Sequence, residues 1–444
     1  MKPKILLVNP PIYDFAAYDF WLKPYGLLSV AGFLREKADP FGKLRASFKL
    51  FDYLDRSDPF VTEREQLASD RWGRGRFYCE RTQSPPCLHE IPRYFRRFGL
   101  PRRLFKDFLS EERPFDFAFV QTTMTYWYLG VKEVIEDVRE AWPQVKIVLG
   151  GVYATLCRDH ARKLGADFVL SGTDLGPLWE YLGTMPDLKQ PALWQAYRKL
   201  NAGVLKLSDG CPFSCTYCSV PAVYGKFKAR PLERSLAELE LLCQLGVENI
   251  AFYDDALLFE PQKVLIPFLN EVLGRGVKVS FHCPNALNAR FLTAELAGLM
   301  VRAGFKTFYL GFESASAQWQ KRTGSKVFSQ ELAEAVEHLL AAGAEAASIT
   351  AYQILGHPHI GIQELEASMR FVHSLGIRGT LADFSPIPGT PDGEYCRTWV
   401  DLDEPLMHNK TAFPIILLGF EESNRLKDLQ RQLNRALPGD EDRT

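Results

Sequence analysis

Residues 204–221, VLKLSDGCPFSCTYCSVP, decide how this chain is read. The apolar positions of VLKLS predict a strand, and the loop after it carries Cys211, Cys215 and Cys218, separated by three and then two residues. A structural zinc takes four ligands and a disulfide takes two cysteines, so three thiols in one loop match neither. Three thiolates on a four-iron cluster leave one iron with an open coordination position, and catalysis needs that opening. The same residues also allow a structural zinc completed by a distant Cys243, Cys283 or His282.

Working outward from this loop, apolar runs recur as NIAFYDD (249–255), VKVSFHC (277–283), TFYLGFES (307–314), ASITAYQIL (347–355) and GTLADFSPI (379–387). Helical patterns lie between them, including SLAELELLCQLG, PQKVLIPFLNEVLGRG and SQELAEAVEHLLAAG. Six strands joined by five crossovers predict a six-unit βα partial barrel, with functional residues at the carboxyl ends of the strands. Upstream, KILLVNP, SFKLFDYL, FDFAFVQTT, KIVLGGVYAT and DFVLSGT alternate with helices such as GVKEVIEDVREAW. Continuous apolar strands of this kind suit a sheet buried on both faces, so the fold class is α/β: a Rossmann-like doubly wound parallel sheet followed by a (βα)6 partial TIM barrel. The boundaries read as 1–180 for the sheet domain, with an aromatic, Arg-rich insertion at 56–112, and 181–200 for a linker with helical pieces. Residues 201–395 form the barrel and 396–444 a C-terminal tail with an acidic end.

The chain has 444 residues, room for two or three domains. Its 53 basic and 54 acidic side chains nearly cancel, so no net field recruits nucleic acid or an anionic membrane. The N-terminus lacks a signal-peptide pattern, and no apolar run approaches the roughly 20 residues of a spanning helix, so no transmembrane segment is expected and a cytoplasmic location is. In a reducing compartment, nine cysteines with three crowded together argue for metal ligation over disulfides.

At these cysteines the segment from about 200 to 395 resembles the radical S-adenosylmethionine (SAM) superfamily. The resemblance implies a 4Fe-4S cluster held by Cys211, Cys215 and Cys218, with the amino and carboxylate groups of SAM on the fourth iron. It implies that Tyr217 packs near the adenine and that Asp254 and Asp255 meet the methionine ammonium, with a helix-capping role as the alternative for the aspartates. Glu313 and Ser314 would serve the ribose hydroxyls and the methionine moiety. His282, Asn285 and Asn288 at the third strand end, and His357 and His359 at the fifth, are further candidates; a histidine there also serves as a structural hydrogen-bonding group. An electron donor such as flavodoxin or ferredoxin is implied as well.

Residues 1–180 resemble the cobalamin-binding module that precedes the barrel in one branch of that superfamily, through VNPP, QTTMTYWYLGV, VLGGVYATLC and LSGTDLGPL. The resemblance implies cobalamin at the carboxyl edge of the sheet, with Gly150 and Gly151 allowing close approach and Thr122, Thr123 and Thr125 bonding its polar groups. Asp-x-His-x-x-Gly is absent, so this domain offers no axial histidine, and Tyr153 stands where a histidine is frequent. The expected function is a cobalamin-dependent radical SAM methyltransferase acting on an unactivated centre. The alternatives are a cobalamin-independent radical enzyme for rearrangement or ring formation, and a non-enzymatic metal-binding regulator. The substrate, small-molecule or lipid-like, is not named by any motif.

Overall fold

The computed structural model describes residues 3–35 and 46–437, so the acidic C-terminal end lies outside the described residues. The chain divides into two compact units, one of residues 1–89, 93–204 and 236–247, the other of residues 90–92, 205–235 and 248–444.

In the first unit the strands are β1 (Lys4–Asn9), β2 (Ser47–Asp52), β3 (Phe117–Thr122), β4 (Lys146–Gly151) and β5 (Phe168–Val169). They lie parallel in the order β5-β4-β3-β1-β2. The alternation of side chains along a strand sends Ile5 and Leu7 to one face and Leu6 and Val8 to the other. The first face packs on Leu27, Ala31 and Leu34 of α1 (Tyr25–Arg35), and the second on Val131, Val134 and Val138 of a helix at Tyr128–Ala141. Both faces are covered, which is why every strand reads as an unbroken apolar run. The strand order reverses between β1 and β3, and the crevice outside the carboxyl ends at such a reversal is where ligands bind in doubly wound folds.

The insertion is ordered. Arg96–Phe98 pairs antiparallel with Ile12–Asp14 on one side and with Cys79–Arg81 on the other. Arg97 is buried against Glu133 in a two-pronged pair, with the Tyr13 hydroxyl on the same carboxylate. Arg102 grips the buried Asp137. These two arginines of the insertion are spent on holding it to the helix Tyr128–Ala141. Of the expected helical pieces of 181–200, the structure has the end of the helix Gly176–Leu182 and a 3-10 turn at Trp194–Ala196. Pro186 and Pro191 interrupt the segment, and its amides bond instead to α1, Asp187 to the Phe33 carbonyl and Leu193 to that of Leu28.

The second sheet runs β6 (Gly203–Leu205), β7 (Asn249–Phe252), β8 (Ser280–Asn288), β9 (Phe305–Glu313), β10 (Ile349–Leu355) and β11 (Arg378–Asp383), adjacent in chain order. It is an open six-stranded parallel sheet, the expected partial barrel. The open edge at β11 is covered by the helix Phe420–Arg435, whose Asn434 accepts from the Gly379 amide and donates to the Gly379 carbonyl, each at 2.9 Å. Gly379 makes this possible, since a Cβ there would lie 2.5 Å from the Gln430 amide nitrogen.

Candidate functional site

The cysteine loop leaves β6 through Gly210, whose φ of +71 and 2.5 Å clearance to the Lys226 carbonyl exclude any side chain. A short hairpin, Ser208–Asp209 against Lys228–Ala229, anchors its base. Burial would raise the Asp209 carboxyl, but the Arg230 fork and Lys206 hold it at about 2. Within the loop the Cys218 amide donates to the Cys215 carbonyl, and a short helix from Val220 follows. Cys211, Cys215 and Cys218 all line one cavity of about 280 Å³ with Tyr217, Asp255, Asn288 and Lys326. Burial raises all three thiols, Cys218 to about 11, so any metal they held would have to drive their deprotonation. Among the described residues no group of three His, Cys, Asp or Glu is placed to hold a single metal ion. A four-iron cluster makes a different demand, one thiolate per iron. Two of the distant groups considered for zinc are otherwise placed: His282 bonds Thr307 and Asn249 through its two ring nitrogens, and Cys283 is buried outside the cavity lining.

The polar lining tests whether the cluster's partner fits. Asp255 Oδ2 and Asn288 Nδ2 in the lining are buried without a hydrogen-bond partner, as is Oε2 of Glu313, which pairs with the lining Lys326. Buried polar atoms are nearly always satisfied, so this set asks for a ligand bearing both donors and acceptors. An amino-acid ammonium and vicinal hydroxyls, as SAM carries, answer it. The two adjacent aspartates part company. Asp254 turns back on its own barrel, accepting from the Leu207 and Ser208 amides and the Ser208 hydroxyl, whereas Asp255 faces the cavity. Burial raises the Asp255 carboxyl to about 6, against the pull of Lys206 at 3.9 Å.

Glu313 ends β9 with φ +63, a left-handed conformation costing a non-glycine residue about 1–3 kcal/mol. That twist presents its carboxylate to Lys326 at 2.8 Å. Ser314, by contrast, faces away from the cavity, its hydroxyl accepting from the Ser316 amide at the start of a helix. Tyr217 stacks on Trp319 with ring centroids 5.7 Å apart and meets His357 edge-on. The Trp319 indole donates to His357 Nδ1, which leaves the proton on Nε2 to reach Asp392 at 3.1 Å. Burial would raise the Asp392 carboxyl, but hydrogen bonds from His357 and the Thr216 hydroxyl hold it below the usual carboxylate range. His357 is therefore a support behind the cysteine loop, and His359, bonded to Arg322, stands beside it. Lys326, Trp319 and Asp392 carried no sequence signal, since they lie in loops and helices without a motif.

In the first unit two of the five nominated edge residues, Thr122 and Thr125, are buried, whereas Gly151 is exposed. Thr122 donates to the Gly150 carbonyl and accepts from the Ala154 amide. Gly151, at φ +120, brings its Cα against the Thr122 carbonyl, where a Cβ would lie at 2.0 Å. Thr125 is buried. Thr123 and Gly150 remain partly open, and a Cβ at Gly150 would meet only Leu170, at 3.7 Å. Tyr153 fills its own interior, stacked on Tyr128 and bonded to His160.

Residues 205–372 match the Radical SAM superfamily. An uncharacterized methyltransferase of Pyrococcus horikoshii is 30% identical over 198 residues, 44% of this chain and 41% of that protein. The chain thus spans about two fifths of that relative's length. The fold is similar to TsrM from Kitasatospora setae, a radical S-adenosylmethionine methyltransferase, with TM-score 0.62 and 14% identity over 89% of this chain and 76% of that one. It is also similar to OxsB, a cobalamin-dependent S-adenosylmethionine radical enzyme, with TM-score 0.56 and 13% identity over 97% of this chain and 61% of that one. At such identities the likeness is one of fold. The cysteine loop and every residue lining its cavity lie within the segment that matches the Radical SAM superfamily, a domain that implies a 4Fe-4S cluster and SAM.

Proposed function

We propose that this protein is a cobalamin-using radical SAM methyltransferase acting on an unactivated centre. The observation that carries the radical SAM part is the convergence of three cysteine thiols and the unpartnered Asp255 and Asn288 atoms on one cavity. Cys211, Cys215 and Cys218 would hold the cluster, Asp255 would accept the methionine ammonium, and Tyr217 would wall the adenine side, braced by Trp319 and His357. When bound, cluster and SAM supply a one-electron cleavage of the sulfonium that gives methionine and a 5′-deoxyadenosyl radical. The orphaned Glu313 oxygen would take a ribose hydroxyl while its partner oxygen stays on Lys326. The electron would come from a donor such as flavodoxin or ferredoxin.

Cobalamin as methyl carrier is supported by the β5-β4-β3-β1-β2 sheet, with a ligand crevice at its reversal. The likeness of fold to TsrM, one of whose structures has cobalamin and a 4Fe-4S cluster bound, and to OxsB with aqua-cobalamin supports it too. A second reading, a radical enzyme without cobalamin, is favoured by the burial of Thr122 and Thr125 within the fold. Anaerobic purification with hydroxocobalamin, followed by cobalt analysis, separates the two. Retention near one cobalt per chain, abolished in Gly150→Trp, supports methyl transfer. Iron without cobalt refutes it and leaves the second reading.

A further inference from the structure

Lys326 answers to no role assigned so far beyond pairing with Glu313. It lines the same cavity as the three cysteines, with its side chain only 17% exposed. The fold commits several unusual features to placing it. Gly324, at φ +119, packs against Cys215, where a Cβ would lie 3.4 Å from its Cα, and the Thr216 amide donates to the Thr323 carbonyl. The strand of chain bearing Lys326 is therefore tied to the cysteine loop itself. Ser325, immediately before the lysine, is left-handed at φ +52, and Glu313, its partner, is left-handed at φ +63. Gly311 completes the arrangement, since a Cβ there would sit 2.8 Å from the Lys326 ammonium. Backbone strain at both ends of one ion pair, beside a glycine that makes room for it, marks a pair whose position matters.

Resting on the cluster reading above, we propose that Lys326 sets how readily a cluster on Cys211, Cys215 and Cys218 accepts an electron, with Glu313 as its opposing charge. One electron, passed from a low-potential donor protein that is oxidised in the exchange, adds one negative charge to the cluster, and no bond or proton need move. An ammonium held against the thiolates by a cavity wall favours that added charge; a carboxylate beside it disfavours it. Lys326 lines the cavity together with the three cysteines, and Glu313 pairs with it at 2.8 Å.

The test is a redox titration of the anaerobically reconstituted full-length protein, followed by electron paramagnetic resonance in the absence of SAM. Leaving SAM out removes any contribution of the lysine to substrate binding. Lys326→Met is expected to move the cluster midpoint to more negative potential, Glu313→Gln to more positive potential, and the double variant to return it toward the wild-type value. Lys326→Arg, which keeps the charge, is expected to titrate close to wild type. Intact clusters in both single variants with unchanged midpoints, or with shifts of the same sign, overturn the proposal. If Lys326→Met fails to retain iron, Glu313→Gln alone carries the test through the sign of its shift. A wild-type protein that takes up no four-iron cluster refutes the underlying cluster reading instead, and the iron analysis made before titration tells the two failures apart.

Discussion

Replacing Asp255 by asparagine separates what this residue costs the fold from what it gives the site. Burial raises its carboxyl from 3.8 to about 6, with Lys206 opposing and Asp254 adding to the rise. Between those two values the folded chain holds a proton that the unfolded chain has released. Stability therefore falls as the pH rises through that window, and the whole cost is present above it. A rise of roughly two units corresponds to about 3 kcal/mol at neutral pH. With its side chain 14% exposed, Asp255 feels little solvent screening. Asp255→Asn is thus expected to stabilise the unloaded protein by up to about 3 kcal/mol near pH 7, with the gain vanishing below about pH 4. The same change removes the charge that would accept the methionine ammonium. A charge-assisted hydrogen bond is worth about 1.5–3 kcal/mol, so affinity for SAM should fall about 10- to 100-fold. Urea unfolding of the unloaded protein near pH 7 and near pH 5, with calorimetric titration of SAM into the reconstituted protein, reads both quantities. A lower unfolding midpoint near pH 7, or unchanged SAM affinity, would refute the reasoning.

Other substitutions probe the scaffold. Gly151→Ala places a Cβ 2.0 Å from the Thr122 carbonyl at a backbone conformation reserved for glycine, and should destabilise by at least about 1–3 kcal/mol in thermal unfolding. Arg97→Met leaves Glu133 buried without its cation, an expected loss of about 3–5 kcal/mol that Glu133→Gln in the same chain partly restores. Asn434→Ala strips both polar groups of Gly379 at the β11 edge, and should cost about 1–2 kcal/mol and raise light scattering on incubation.

The strands were legible because burial on both faces writes itself as continuous apolar runs, from KILLVN in β1 to ITAYQIL in β10. The three candidate cluster cysteines were legible because their spacing is local to one loop. What the sequence withheld depends on direction. Asp254 and Asp255 are neighbours of the same chemistry, and only the path of the chain past β7 shows that one satisfies the Leu207 and Ser208 amides while the other enters the cavity. Lys326 reaches the site through the left-handed turn at Ser325 and the gap at Gly311, neither of which has a periodic signature. Gly151 was expected to allow close backbone approach, and its Cα does lie against the Thr122 carbonyl of the chain itself. Ser314 likewise follows a correctly identified strand end and is turned to a helix start by the twist at Glu313.

The central claim, that Cys211, Cys215 and Cys218 hold a 4Fe-4S cluster with an open position for SAM, is tested most directly by iron analysis and electron paramagnetic resonance of the reduced protein with and without SAM. The account predicts about four irons per chain, a cluster spectrum that changes on adding SAM, and loss of both in Cys215→Ala. A protein that binds a single zinc, or whose cluster spectrum is untouched by SAM, would contradict it.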